Sequence, residues 1–200
     1  MSNETNDIWE IVRTQRAVRR FRPDPIPDDV LRRILRAATR APSATNVQPW
    51  AWLVLKDRDV KARVWEWYVK AQQEVYGPTA SGMERTPFAE VPAIVVACHR
   101  SGGARMGYTS AASIYPAVQN LMLTARALGI GSVLTTLHRR YQDEIRAILG
   151  VPDDVETAAL IPLGYPEDGR FGANKRRPVE ELTYVDRWER PYPWATQDSS

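Results

Sequence analysis

Ala41-Pro42-Ser43-Ala44-Thr45-Asn46-Val47-Gln48-Pro49-Trp50 joins two segments of opposite periodicity, and that junction decides the fold class. Before it, Leu31, Ile34, Leu35 and Ala38 recur at helical spacing behind Asp28, a candidate helix cap. After it, Trp50 to Leu55 is an apolar run of strand length. The joining loop is polar, its prolines stiffen it, and Trp50 can anchor it to a core. Asn46 and Gln48 each carry donors and acceptors, which suits reading the edge of a flat heteroaromatic ring without net charge.

The same alternation extends in both directions. Ile8, Trp9, Ile11 and Val12 form a short amphipathic helix that Asp7 can cap. Ala17 to Phe21 reads as extended, followed by the rigid turn Arg22 to Pro27. A helix is expected over Lys61 to Tyr76, a turn-rich stretch over Gly77 to Glu90, and a core strand over Val91 to Cys98. Thr109 to Leu128 is the longest helical segment, apolar on more than one face. Pro116 within it requires either a late start near Tyr115 or a bend. A strand over Ile130 to Thr135, a helix over Tyr141 to Leu149 and a strand over Ala158 to Leu163 complete the series. Four core strands alternating with helices give an α/β or α+β domain. Without a repeat or linker, residues 1–200 read as a single domain.

A hydrophobic fraction of 44% supports a real core, and 27 basic against 24 acidic residues leave a net charge of only +3. That surplus does not call for a nucleic-acid partner, so anion sites have to be argued locally. Cys98 is the only cysteine and sits in an apolar strand, where it reads as a small core hydrophobe. No apolar run reaches the roughly 20 residues of a membrane span, and the N-terminus lacks a secretory pattern. No membrane association is expected, and the default location is the cytoplasm.

Arg13, Arg16, Arg19, Arg20 and Arg22 crowd one short segment. Like charges this close repel unless an anion sits among them, and the guanidinium fork matches phosphate geometry. The plainer alternative is a solvated basic stripe. A second basic cluster, Lys175-Arg176-Arg177-Pro178, follows the last strand. Side-chain catalysis finds little support. His99 and His138 have no cysteine at ligand spacing, no serine lies in a nucleophile elbow, and no glycine-rich dinucleotide or nucleotide loop is present. An organic cofactor oriented by the protein is the expected source of chemistry, with no metal.

Thr14-Gln15-Arg16-Ala17-Val18-Arg19-Arg20-Phe21-Arg22-Pro23 and Ala41-Pro42-Ser43 with Asn46, Gln48, Pro49 and Trp50 resemble the FMN-dependent nitroreductase family. In the same order follow Gln119-Asn120-Leu121-Met122-Leu123, Ala127-Leu128-Gly129-Ile130-Gly131-Ser132, Leu163-Gly164-Tyr165-Pro166 and Lys175-Arg176-Arg177-Pro178. The resemblance spans roughly Ile8 to Trp188. It implies an α+β fold with a mixed central sheet flanked by helices, in an intertwined homodimer. It further implies bound FMN and ping-pong reduction of nitroaromatics, quinones or related acceptors by NADH or NADPH. Two other readings are a flavin-binding or storage protein without turnover and a relative that uses a deazaflavin.

Carried over by position, Arg16 and Arg19 grip the FMN phosphate with Arg20 nearby, and Lys175 and Arg177 close on it from the other end of the chain. Ala17 belongs to the same segment. Pro42, Ser43 and Asn46 belong to the cofactor site, the last two reaching the flavin from the partner subunit. Leu134, Thr135 and Thr136 lie against the isoalloxazine, where an N–H or hydroxyl of either threonine bonds flavin N5. Many relatives have Arg and Ser where this chain has Gln15 and Ala17. A flavin-fragmenting branch carries an acid at the position of Ala17, which argues against that chemistry here. Residues 178–194, with Tyr184, Trp188, Tyr192 and Trp194, are expected to extend over the partner. Trp67, Tyr68, Tyr76 and Tyr108 are candidates for a substrate lid formed by Trp65 to Met83 and Gly102 to Tyr108, with ordinary core packing as the alternative.

Overall fold

Four strands build one sheet in the order β1-β2-β4-β3, where β1 is Trp50–Leu55, β2 Ala93–Arg100, β3 Gly131–Ser132 and β4 Val155–Gly164. The computed structural model describes residues 4–77, 85–100 and 107–196. The strand pairs are antiparallel, and the bridge from Ala17 to Ser132 is parallel, so the sheet becomes mixed at its β3 edge. Helices cover both faces: α1 (Ile8–Thr14), α2 (Asp28–Ala38), α3 (Arg58–Tyr76), α4 (Tyr108–Ala127) and α5 (Gln142–Leu149). The fold is α+β.

The strand period of two sorts the core. In β2, Ala93, Val95 and Ala97 face α2 and α4, meeting Leu31, Ile34, Ile114, Val118 and Leu121. Ile94, Val96 and Cys98 point the other way, toward Val64, Tyr68, Phe88 and Ile145. Both faces of β2 are therefore buried, which explains its uninterrupted apolar run. Cys98 is 2% exposed, and burial pushes its thiol up to about 11, as suits an inert core residue.

Local signals explain most boundaries. Asp7 caps α1 by accepting the Trp9 N–H at 2.9 Å, and Asp57 caps α3 by accepting the Val60 N–H at 2.8 Å. Gly150 closes α5 in the left-handed region at φ 63°, which a glycine adopts without steric cost. Asp28 is not the cap of α2. Pro27 occupies that position, and Asp28 is the first helical residue, where its charge favours the helix N-terminus and pairs with Lys56. The late start of α4 is also overturned, because the helix begins at Tyr108 and runs through Pro116. The expected strand over Ile130 to Thr135 is interrupted. Only Gly131–Ser132 pair as a strand, and Thr135 rejoins β4 through a bridge to Leu160.

Two glycines position the arginine segment. A Cβ on Gly131 would stand 2.8 Å from Val18, and one on Gly164 would stand 2.9 Å from Phe21. Their bare backbones let residues 17–21 lie against the sheet edge. The Val18 N–H donates to the Ser132 carbonyl at 2.9 Å, and the Arg22 N–H to the Tyr165 carbonyl at 2.9 Å. Beyond β4 the chain continues through short helical turns at Val179–Leu182 and Pro193–Thr196. Tyr184 packs on Trp188, and Tyr192 on Trp194, yet Trp188 remains 80% exposed.

Candidate functional site

Arg16, Ala17, Arg19 and Arg20 line a single cleft of about 760 Å³, closed on its other side by residues 167–172. Segment 17–22 reaches this place because it is laced to the sheet edge and to the turn after β4, where the Glu167 N–H donates to the Arg20 carbonyl at 3.1 Å. Gly169, at φ 65°, turns the chain back, so that Gly172 comes to lie against the Arg16 guanidinium. Asn174 then donates to the Gln15 carbonyl at 2.7 Å. Residues 15–20 and residues 167–174, far apart in sequence, thus meet at this cleft.

The charges in the cleft differ in what they already hold. Arg20 pairs with Glu167 at 2.5 Å, and the neighbouring Arg22 faces Asp24 at 3.4 Å. Arg16 and Arg19 form no ion pair among the described residues. Arg170, which the sequence reading missed, lines the same cleft and is likewise without an ion pair among the described residues. Four arginines against Glu167 and Asp168 leave the cleft cationic, a composition suited to a dianionic phosphate. The signal that could have found Arg170 is the Asp168-Gly169 turn, which reverses the chain directly before it. Phe171 was missed as well. It is covered by the guanidinium of buried Arg126 at 4.1 Å, and Arg126 also donates to Thr14 at 2.7 Å, tying α1 and α4 to the cleft wall.

Lys175 and Arg177 are exposed and lie outside the lining of this cleft. Arg177 pairs with Glu181 at 3.0 Å. Pro42, Ser43 and Asn46 lie in a separate exposed loop. There the Ser43 hydroxyl accepts the Gln48 N–H at 3.0 Å, and Ala44 donates to Ser113 of α4 at 3.3 Å. Thr45, Asn46 and Gln48 adopt φ of 48°, 57° and 52°. Such left-handed non-glycine residues cost roughly 1–3 kcal/mol each and cluster at functional sites.

Leu134 and Thr135 are half-buried, and Thr136 is exposed. The two threonines differ in what remains free. Thr135 exchanges both backbone hydrogen bonds with Leu160, at 3.0 and 2.9 Å, and its hydroxyl donates to the Tyr68 phenol at 3.4 Å. Thr136 keeps its N–H and its hydroxyl unpaired among the described residues. Among the lid candidates, Tyr68 is a core residue at 1% exposure, stacked on Trp65 at 5.5 Å. Trp67 packs on Tyr141, and Tyr76 is exposed. Residues 78–84, including Met83, and 101–106 lie outside the described residues, as does the side chain of Tyr108.

His138 follows the threonines and is fully buried. Its Nε2–H donates to Thr157, 3.1 Å from the hydroxyl and 3.3 Å from the carbonyl, and its Nδ1 has no partner among the described residues. Burial drives its pKa down to about 4. The unfolded chain takes up this proton near pH 6.5, so stability is complete above that pH and falls as the solution is acidified toward pH 4. The loss is up to about 3 kcal/mol from this residue. In NMR, the His138 ring signal of the folded protein should stay unchanged from pH 7.5 to 5. A midpoint near 6.5 would refute the assignment.

The family model described as the nitroreductase family matches residues 12–165. The chain is 34% identical over 191 residues to an NADH dehydrogenase of Thermus thermophilus, covering 84% of this chain and 90% of the relative. Its structure matches that of a nitroreductase with bound FMN from Bacteroides fragilis NCTC 9343 with a TM-score of 0.72, at 24% identity, over 91% of this chain and all of that one. A BluB-like flavoprotein from Clostridium difficile 630 matches with a TM-score of 0.75, at 24% identity, over 92% of this chain and all of that one. With the family model covering most of the sequence, and the arginine segment and the glycine-bounded sheet edge in place, the chain belongs to the nitroreductase family.

Proposed function

We propose that this protein is an FMN-dependent oxidoreductase that passes electrons from NADH or NADPH to nitroaromatic, quinone or related acceptors in ping-pong turnover. The observation that carries this reading is the pair Arg16 and Arg19, two guanidinium groups without carboxylate partners among the described residues, held together in one cleft. The Thermus relative's name gives NADH as its substrate, and the Bacteroides structure holds FMN.

The residues fit the cofactor. Arg16 and Arg19 would hold the phosphate, with Arg20 and Arg170 beside them, while Ala17 allows close approach to the backbone. Lys175 and Arg177 would join from the C-terminal side. Arg177 would leave Glu181 to do so, a small cost because an exposed ion pair contributes only about 0–1 kcal/mol. Leu134 would lie against the ring, and Thr136 would donate to N5, because Thr135 already uses its own groups within the protein. Ser43 and Asn46, with Pro42 beside them, would approach from the partner subunit, in keeping with their absence from the lining of the arginine cleft. Bound FMN supplies the acceptance and return of hydride, and the protein's share is binding and orientation.

The functional unit in this reading is a homodimer. β1 is an edge strand, and between it and α2 lies an open groove of about 560 Å³ with Leu31, Leu35, Trp52 and Val54 on its walls. Residues 178–194 expose Val179, Leu182 and Trp188, apolar surface that a partner's groove would cover.

The test uses purified protein reconstituted with FMN and mixed with NADH or NADPH and a quinone or nitroarene. Nicotinamide oxidation that depends on the acceptor is expected, from a species that sediments as a dimer. Flavin that binds yet stays oxidised with both nicotinamides would overturn the enzyme in favour of a flavin-holding protein.

A further inference from the structure

Arg85 and Thr86 touch both halves of the candidate site. On one side, the Thr86 N–H donates to the Arg19 carbonyl at 2.9 Å, and the Thr86 hydroxyl accepts the Phe21 N–H at 2.9 Å. These two bonds clamp the arginine segment from the side away from β3. On the other side, Arg85 donates to the phenol oxygen of Tyr68 and lies over its ring, 5.2 Å from the centroid. The same phenol oxygen receives the Thr135 hydroxyl at 3.4 Å, and Thr135 Oγ1 in turn accepts the Leu137 N–H at 3.4 Å. A continuous polar chain therefore runs from Arg19 through Thr86, Arg85, Tyr68 and Thr135 to the loop that contains Thr136.

The phenol at its centre is fixed from every side. Trp65 stacks on Tyr68 at 5.5 Å, Phe88 packs against it at 4.9 Å, and the side chain is 1% exposed. A buried hydroxyl in an apolar cluster needs partners, and here the partners are one cation and one loop hydroxyl. Packing alone would be met by phenylalanine at this position. The hydroxyl adds a bond that phenylalanine would lack, the one it accepts from Thr135, the neighbour of Thr136.

We propose that Arg85-Thr86, acting through Tyr68 and Thr135, is a brace that sets the ring-facing loop in fixed relation to the arginine cleft, and that Tyr68 is a positioning residue for the cofactor. This rests on the flavin reading above. The brace holds the Thr136 donor at N5 when the phosphate is seated, and so biases the flavin's redox equilibrium while leaving the grip on the phosphate unchanged.

Tyr68→Phe keeps the ring and removes the hydroxyl, Thr135→Val removes the other partner, and Thr135→Ser restores it. In flavin-free protein, amide exchange at Leu137 should quicken about three- to tenfold in Tyr68→Phe and Thr135→Val, the size of one net hydrogen bond, and return toward wild type in Thr135→Ser. With FMN bound, the ratio of reduced to oxidised flavin against a reference dye should shift about threefold or more in the first two variants. The double variant Tyr68→Phe/Thr135→Val should shift no further than the larger single one, because both changes break one chain. FMN affinity should stay within about twofold. Variants that lose thermal stability but keep both the exchange rate and the flavin ratio would overturn the brace and leave the flavin reading intact. A wild-type protein that binds no FMN would overturn the flavin reading and the positioning role together.

Discussion

Replacing both Arg16 and Arg19 by alanine is expected to abolish practical FMN retention while the protein stays folded. Each guanidinium would give the phosphate at least one charge-assisted hydrogen bond, a contribution of about 1.5–3 kcal/mol. Losing both should weaken binding roughly a hundredfold to ten-thousandfold. The fold should scarcely notice, since neither side chain has an ion pair to lose among the described residues. Surface changes of this kind stay within about 0.5 kcal/mol. Arg20→Ala is the control. Its exposed pair with Glu167 already occupies it, so its effect on FMN affinity should be much smaller. Quenching of FMN fluorescence on titration, beside a thermal melt, measures both quantities. A double variant that binds FMN as tightly as the wild type would refute the phosphate assignment.

Phe88→Ala should have the largest effect on stability. Phe88 is 2% exposed and packs against both Trp65 and Tyr68, each ring 4.9 Å away. Emptying a buried phenylalanine site costs about 3–5 kcal/mol, because the lost transfer energy adds to the cavity left behind. At roughly 2–4 °C per kcal/mol for a domain of this size, the melting temperature should fall by about 6–20 °C at equal protein concentration. Phe88→Leu, which refills most of the space, should recover much of that loss. A melt within a degree or two of wild type would show that this aromatic cluster is not the structural centre of its face of the sheet.

Much of the architecture could be read from periodicity. The apolar run through Val91 to Cys98, helical spacing from Leu31 to Ala38, and the Asp7 cap depend on neighbours close in sequence, and those elements appear near their expected positions. The failures share one cause, which is that contacts distant in sequence decided the outcome. Pro116 lies inside α4 although local chemistry argues against it, because the helix is held by packing against α2 and β2. Thr135 leaves the strand pattern and rejoins β4 one residue at a time, a choice made by Leu160. Lys61 is 4% exposed with its Nζ donating to the Val91 carbonyl at 2.6 Å, a partner visible only in the fold.

The candidate site was legible to the same degree. The arginine crowd announced an anion site, but its sorting into paired Arg20 and unpaired Arg16 and Arg19 depends on Glu167, far along the chain. Arg170 becomes a site residue only because the Gly169 turn brings it into the cleft that Arg16 lines. Tyr68, read as a lid aromatic or a core one, proves to be core, and its hydroxyl gains meaning only through Arg85 and Thr135.

The position of the cofactor's phosphate decides whether the arginine cleft is the flavin site. A crystal structure of the protein grown with excess FMN is the most direct measurement. It should show the phosphate between the Arg16 and Arg19 guanidinium groups, with the ring against Leu134 to Thr136. A flavin seated elsewhere, or a cleft holding nothing at saturating FMN, would contradict it.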